Sequence, residues 1–414
     1  MTLKSPKFSG KAAIAFSGGG DSTAMLHAFR DDPRITHAFI VDHALREGSD
    51  IEAKIAANFA QQLGYQVQIK RWKHQDIKTG LQAKARHARY QALGQMCRAE
   101  GLSHLMTAHS EDDQAETFIL RLNRQSGWRG LAGMIDEAYA PIWPNLANVT
   151  LLRPWLGVSR QALRDYNAQH RLPFVDDPSN ENSNFARIRA RQALSVDPEL
   201  RERILREQKS HRYRLNIERD KNAEWVAKNA YLSTHGFIET KAVPNPQILQ
   251  LILRAVSGTG GPIDRTKTSD LIDQMKRPDF KAATLVGAWC IKQDDKFVFA
   301  RDMVAVKGGR KEAPIEPIDL KSGQACIWDG RFLIEPTQDE ISVMPAFGHL
   351  EKIRQVAEVK GVLNVPAAVR ATLPLFKWGD EWIGFSAFET DFVKVTSLTA
   401  RRLQAALSLS LIHI

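Results

Sequence analysis

Apolar positions in the first 125 residues fall in short runs that alternate with longer stretches in which apolar residues recur every three or four positions. Residues 12–16 (AAIAF) are a continuous apolar run that ends in glycines, the pattern of a short buried strand. Further strands are predicted at 36–42 (THAFIVD), 65–71 (YQVQIKR) and 103–108 (SHLMTA), with helices at 22–29, 50–63, 80–99 and 111–124 between them. In the last helix Ala115, Phe118, Ile119 and Leu122 recur at i, i+3, i+4 and i+7, one apolar stripe that packs on a sheet. Strands alternating with helices of this length predict an α/β fold, a doubly wound, mainly parallel sheet whose ligands gather at the carboxyl ends of its strands.

The rest of the chain changes character. A helix is expected at 159–170, ending before Pro173, then a polar turn-rich loop, DDPSNENSN at 176–184. A long arginine-rich helix over 185–228 is broken near Asp197-Pro198. Residues 230–300 read as small and mainly helical, because PNPQILQLILRAVS is strongly amphipathic. Residues 307–317 read as a linker, and short strands (ACIWDG, RFLIEP, EWIGFS) return after it. The expected division is 1–215 as a catalytic domain with a trailing linker helix, 216–306 as a small helical domain and 318–410 as a small α+β domain, with SLSLIHI at 408–414 as a frayed tail.

Three polar clusters fall at strand ends of the predicted sheet. The first, Ser17, Gly18, Gly19, Gly20, Asp21 and Ser22, joins a strand to a helix. Unpaired N–H groups at a helix N-terminus, entered through a loop without Cβ atoms, can wrap a phosphate or pyrophosphate. The lysine of G-x-x-x-x-G-K-[ST] is missing, so this is not the kinase or GTPase loop; a plain glycine turn would look the same. The second cluster, Asp42, His43 and Arg46, suits adenosine recognition, although an aspartate there can simply cap the next element. The third holds His109 with Asp112, Asp113 and Glu116 in the first turns of a helix. One acid there serves the macrodipole, whereas three beside an anion loop suggest chemistry. Arg86 and Arg89, three apart on the 80–99 helix, share a face and are either a solvated flank or phosphate contacts.

Composition adds less. Lys and Arg outnumber Asp and Glu by 57 to 47, a formal net charge of +10 that favours a polyanionic partner. Cys97, Cys290 and Cys326 are far apart, which suggests neither a disulfide framework nor a metal site and fits a reducing cytoplasm. No leader-like segment opens the sequence and no run approaches 18 apolar residues, so a cytoplasmic protein without a membrane span is expected.

The opening SGGGDST resembles the loop of the PP-loop ATP pyrophosphatases, an adenine nucleotide alpha hydrolase-like fold. Taken with VDHALR, ARHARY, TAHSEDDQAETFILRL, SGWRGLAGM, LLRPWL and FVDDPSNENSNFARIR, the first half resembles the tRNA(Ile)-lysidine synthetases in the order of its motifs. VPAAVRATLPLFKWGDEWIGF carries a weaker likeness to their terminal pattern. Ser110 stands where the family usually has a second histidine, and Gln82 where it often has an acid.

The resemblance implies an enzyme that uses ATP and Mg²⁺ to adenylate the wobble cytidine in the CAU anticodon of tRNA(Ile), and then joins free L-lysine to its C2. It also implies that the C-terminal domains bind tRNA, and a homodimer is possible. Asp21 is then the residue placed to hold the metal, Asp113 and Glu116 grip lysine, and Asp112 stands beside them. Arg187 and Arg189 would face the α-phosphate. Two rival readings are a PP-loop tRNA thiolase, which needs cysteines near its site, and a catalytically inactive RNA-binding protein.

Overall fold

The computed structural model describes residues 3, 5–73, 80–175, 186–261, 263–309, 313–353 and 365–407. The 176–184 loop and the 408–414 tail lie outside them. The chain divides into two compact units, 1–141 with 149–218, and 142–148 with 219–414.

Unit 1 is built on β1 (Ala12–Ala15), α1 (Gly20–Ala28), β2 (Ile35–Asp42), α2 (Ser49–Gln62), β3 (Gln66–Arg71), α3 (Leu81–Ala99), β4 (His104–Met106), α4 (Glu111–Leu122) and α5 (Trp128–Leu131). Then come β5 (Glu137–Tyr139), β6 (Thr150–Leu152), α6 (Arg160–His170), α7 (Ala186–Val196) and α8 (Pro198–Asn229), which belongs to unit 2 from Arg219 onward. The break between α7 and α8 falls at Asp197-Pro198: proline cannot continue the hydrogen-bond ladder but starts a helix well.

The six-stranded sheet runs β3-β2-β1-β4-β6-β5, parallel except for β5. All four residues of β1 are buried, the continuous apolar run of a central strand covered on both faces. From β1 the chain winds outward through β2 to β3, then crosses back to place β4 on the other side of β1. That reversal between β1 and β4 is the topological switch point, where the loops leave a crevice. α1 and α6 pack with β1 and β2 around Ile14, Met25, Leu26, Phe29 and Trp155.

Unit 2 corrects one expectation. Residues 230–300 are not mainly helical: α9 (Pro246–Ser257) and α10 (Arg265–Met275) pack on a five-stranded antiparallel sheet. Its strands are β7 (Ala230–Leu232), β8 (Ile238–Thr240), β9 (Ala282–Leu285), β10 (Ala288–Gln293) and β11 (Lys296–Arg301), in the order β7-β8-β11-β10-β9. Two tight hairpins make it possible. Val286 and Gly287 join β9 to β10, and Asp294 is the first residue of the turn between β10 and β11, all three with positive φ. Beyond residue 318, sheets of four and three strands share a second core around Phe332, Val343, Leu375 and Phe376.

Candidate active site

Local chemistry shapes the loop after β1. Gly18 takes φ +76°, a left-handed conformation that a side chain resists. Gly19 is the N-cap of α1 and offers no side chain to the first-turn N–H groups, which leaves them for an anion. Ser17 and Ser22 hold the loop shut on itself: their hydroxyls are 3.0 Å apart, and the Ser22 hydroxyl donates to the Gly19 carbonyl at 2.9 Å. From α6, the buried Asn167 amide donates to the Gly20 carbonyl at 2.9 Å. The loop borders a cavity of about 350 Å³ whose lining includes Ser17, Gly19, Gly20, Asp21, Ser22, Thr107, His109 and Asp113, which are residues following β1 and β4. The switch point and the anion loop thus open on one space.

The opposite wall is α4. Ser110 is its N-cap and forms a reciprocal box with Asp113: the Ser110 N–H donates to Asp113 Oδ2 at 2.9 Å and the Asp113 N–H to Ser110 Oγ at 3.4 Å. Ser110, which stands where the resembled family usually has a second histidine, thus stabilises the helix start. Asp113 and Glu116 are both buried, one turn apart.

At the centre lies Arg160, the first residue of α6, which sequence reading passed over. Its Nη2 reaches Asp113 Oδ1 at 3.1 Å, its Nη1 reaches Glu116 Oε1 at 3.1 Å, and its Nε lies 3.4 Å from Asp21 Oδ2. Its backbone N–H donates to Asp112 Oδ2 at 2.6 Å, which fixes the start of α6 to the start of α4. Glu116 also receives Arg191 Nε at 2.9 Å and Arg187 Nε at 3.4 Å. Arg201 of α8 pairs with Glu111 at 2.7 Å and approaches Asp112 at 3.5 Å.

These contacts set the charge states. Burial alone would raise the Asp113 pKa, but Arg160, with the Ser110 N–H and Arg187, brings it below the ordinary carboxylate value. At Asp21 burial dominates and the neighbouring Asp113 and Asp112 add to it, so that its pKa is raised despite Arg160. Burial, together with Arg153, Arg89 and Arg86, pushes the His109 pKa well below the usual imidazole value in spite of Asp113, and the ring stays neutral. Its Nδ1 lies 2.8 Å from the Thr107 hydroxyl.

The remaining predicted residues divide. Arg89 and Arg187 line the cavity, and so do Arg160, Arg164 and Arg191. Arg189 is not among the lining residues: a two-residue step turns it round α7, whereas Arg191 at i+4 shares the face of Arg187. Arg86 stacks over the Tyr90 ring at 4.9 Å. Asp42 ends β2, on the other side of β1 from β4, His43 and Arg46 follow it, and none of them lines the cavity. Asp42 Oδ1 accepts the Ala44 N–H at 2.8 Å, the His43 ring meets the edge of Trp72, and Arg46 pairs with Glu52 at 2.6 Å. Among the described residues no group of three or more His, Cys, Asp or Glu is arranged to hold a metal ion.

A glycine loop at a helix N-terminus, at the switch point of a parallel sheet and facing an acid-bearing helix, defines a PP-loop nucleotide-binding protein; the PP-loop domain profile matches residues 2–198. Relatives bearing the name tRNA(Ile)-lysidine synthase include one from Hyphomonas neptunium, 31% identical over 284 residues, which are 66% of this chain and 77% of that protein. Another, from Zymomonas mobilis, is 35% identical over 267 residues, 63% of this chain and 78% of that protein. The chain belongs to the tRNA(Ile)-lysidine synthase family. Among solved structures it is similar to the U34-tRNA thiolase NcsA from Methanococcus maripaludis with its [4Fe-4S] cluster, at 16% identity and a TM-score of 0.42, over 50% of this chain and 75% of that one.

Proposed function

We propose that this chain ligates free L-lysine to C2 of the wobble cytidine in the CAU anticodon of tRNA(Ile), with ATP converted to AMP and pyrophosphate. The observation that carries the reading is the single cavity bordered by both the glycine loop and the Asp113 side of α4, in a chain of this family. In this reading it serves both the phosphates of ATP and the amine of lysine.

Cytidine C2 is a poor electrophile, and adenylation of its oxygen supplies a leaving group. In this reading the 18–22 loop and the α1 N-terminus hold the departing pyrophosphate through N–H and hydroxyl donors. Arg187 and Arg191, on one face of α7, stand in place for the α-phosphate. Mg²⁺ would offset phosphate charge, and Asp21 is the carboxylate suited to it: it lines the cavity beside the glycine loop, and a cation there would favour the charged form that burial disfavours. Such an ion typically takes one or two carboxylates plus phosphate oxygens and waters, so it does not need a cage of protein ligands.

The attacking amine sets the second requirement. A lysine ammonium near pKa 10.4 is neutral about once in 10³ to 10⁴ molecules at pH 7. Asp113 and Glu116 orient it, and Asp113, kept ionised at neutral pH, is the group to take its proton. The target base leaves its stack to reach the site. A thiolase would place a reactive cysteine at the cavity, but none of the lining residues is cysteine. Cys97 is buried, its thiol pushed up to about 12.

The decisive experiment offers radiolabelled lysine, ATP and Mg²⁺ to a tRNA(Ile) transcript with a CAU anticodon, beside a methionine tRNA with the same anticodon. Labelling of the isoleucine tRNA alone is expected. Absence of label on either transcript, with ATP-dependent AMP release intact, would overturn the choice of lysine and retain the nucleotide chemistry.

A further inference from the structure

The two carboxylates that the proposed reaction assigns to lysine are already holding a cation. Arg160 holds Asp113 Oδ1 at 3.1 Å and shares Glu116 Oε1 (3.1 Å) with Arg191 (2.9 Å), while Arg187 lies 3.4 Å from Glu116 Oε2 and Asp113 Oδ2 is spent on the Ser110 cap. The Arg160 side chain is only 17% exposed and it reaches a third carboxylate, Asp21, across the cavity floor. An incoming ammonium and the Arg160 guanidinium cannot both saturate the same oxygens. Arg160 also lines the cavity shared by the anion loop, so a bound triphosphate places a stronger, bidentate acceptor within the same space.

We propose that Arg160 is an internal stand-in for the substrate ammonium, withdrawn from Asp113 and Glu116 by the phosphates of ATP, so that lysine binds after nucleotide. Arg160 is thus a positioning residue. In the resting site it bridges three clustered carboxylates, Asp21, Asp113 and Glu116. With nucleotide bound it turns to the anion and exposes the pair that grips lysine. Such an order keeps the amine site closed until the activating co-substrate is present. The inference rests on Asp113 and Glu116 being the lysine-gripping pair.

The test measures binding of radiolabelled lysine to the full chain by equilibrium dialysis, with and without Mg²⁺ and α,β-methylene ATP, in the absence of tRNA. In the wild type the nucleotide analogue is expected to tighten lysine binding by about tenfold or more, and lysine to tighten the analogue by the same factor, as linkage requires. Arg160→Ala is expected to bind lysine without nucleotide more tightly than the nucleotide-free wild type, and to lose most of its response to the analogue. Arg160→Lys is expected to restore part of that response, since an ammonium can bridge fewer of the carboxylates. A damaged site would bind lysine more weakly in both states, so tighter binding by the free variant separates the stand-in role from a structural one.

Equal lysine affinity with and without the analogue in the wild type would overturn the inference, and that measurement needs no variant. If lysine is incorporated into tRNA(Ile) but binds independently of nucleotide, only the role of Arg160 fails. If lysine neither binds nor is incorporated, the reading of the reaction fails with it.

Discussion

Arg160 in unit 1 and Arg331 in unit 2 both sit among acidic and carbonyl oxygens, and the two surroundings differ in what they leave open. Arg331 is fully buried: its Nε donates to Asp329 Oδ2 at 2.7 Å and its Nη2 to the Thr372 carbonyl. Asp329 also receives Arg301 at 3.2 Å, and Arg301 Nη1 donates to the Gly287 carbonyl at 3.0 Å. Two arginines share one carboxylate, and backbone carbonyls take further donors. The Arg160 node borders a cavity instead, and three carboxylates from two helices converge on one guanidinium that lines the same cavity as the glycine loop. The first arrangement ties strands together, whereas the second has partners to exchange. Buried charge alone does not mark function; a choice of partners does.

The comparison breaks most readily at Asp113. If the open node performs the chemistry, Asp113→Asn should lower the rate of lysine incorporation by about 10² to 10⁴ while the protein stays folded, the range expected for loss of a general base. A near-normal rate in a folded variant would remove Asp113 from the chemical step. The closed node should respond the other way. Arg331→Met is expected to cost about 3 kcal/mol of stability in urea unfolding, because Asp329 loses one of its two buried partners. Folded Arg331→Met protein should retain nucleotide binding.

A gentler probe uses pH. The His109 pKa is lowered from 6.5, so folding favours the neutral ring and the unfolded chain binds the extra proton. The contribution of His109 to stability is fully present above pH 6.5 and declines as pH falls below it toward the folded-state value. His109→Gln should flatten that part of the stability profile, measured by urea midpoints between pH 5 and pH 8. A wild-type profile already flat across this window would show that the ring is not held neutral.

Much of unit 1 was legible because a local pattern dictated it: the buried run of β1, the glycines after it, the apolar stripe of α4 and the Asp197-Pro198 break each act within a few residues. Arg160 was not. Its partners lie 44, 47 and 139 residues away, and its own neighbourhood reads as the ordinary start of a helix. Arg191 was within reach, since i to i+4 spacing from Arg187 puts the two on one face of a helix and Arg189 off it. The sheet of unit 2 was hidden by the strong amphipathic signal of α9, and its hairpins turn on Val286-Gly287 and Asp294, weaker marks than Asn-Gly.

The smallest effect separates the two tasks that meet in Asp113. Its Oδ2 caps α4 through Ser110 and its Oδ1 faces Arg160, so a loss of activity on changing Asp113 has two possible origins. Ser110→Ala removes the hydroxyl half of the capping box and leaves both carboxylate oxygens in place. It is expected to cost about 1 kcal/mol of stability, the usual value of an N-cap, and to change the rate of lysine incorporation by less than about tenfold. If Ser110→Ala instead reduced the rate as far as Asp113→Asn, the carboxylate would be acting through the position of the helix start, and the proton transfer assigned to it would have to be sought at Glu116.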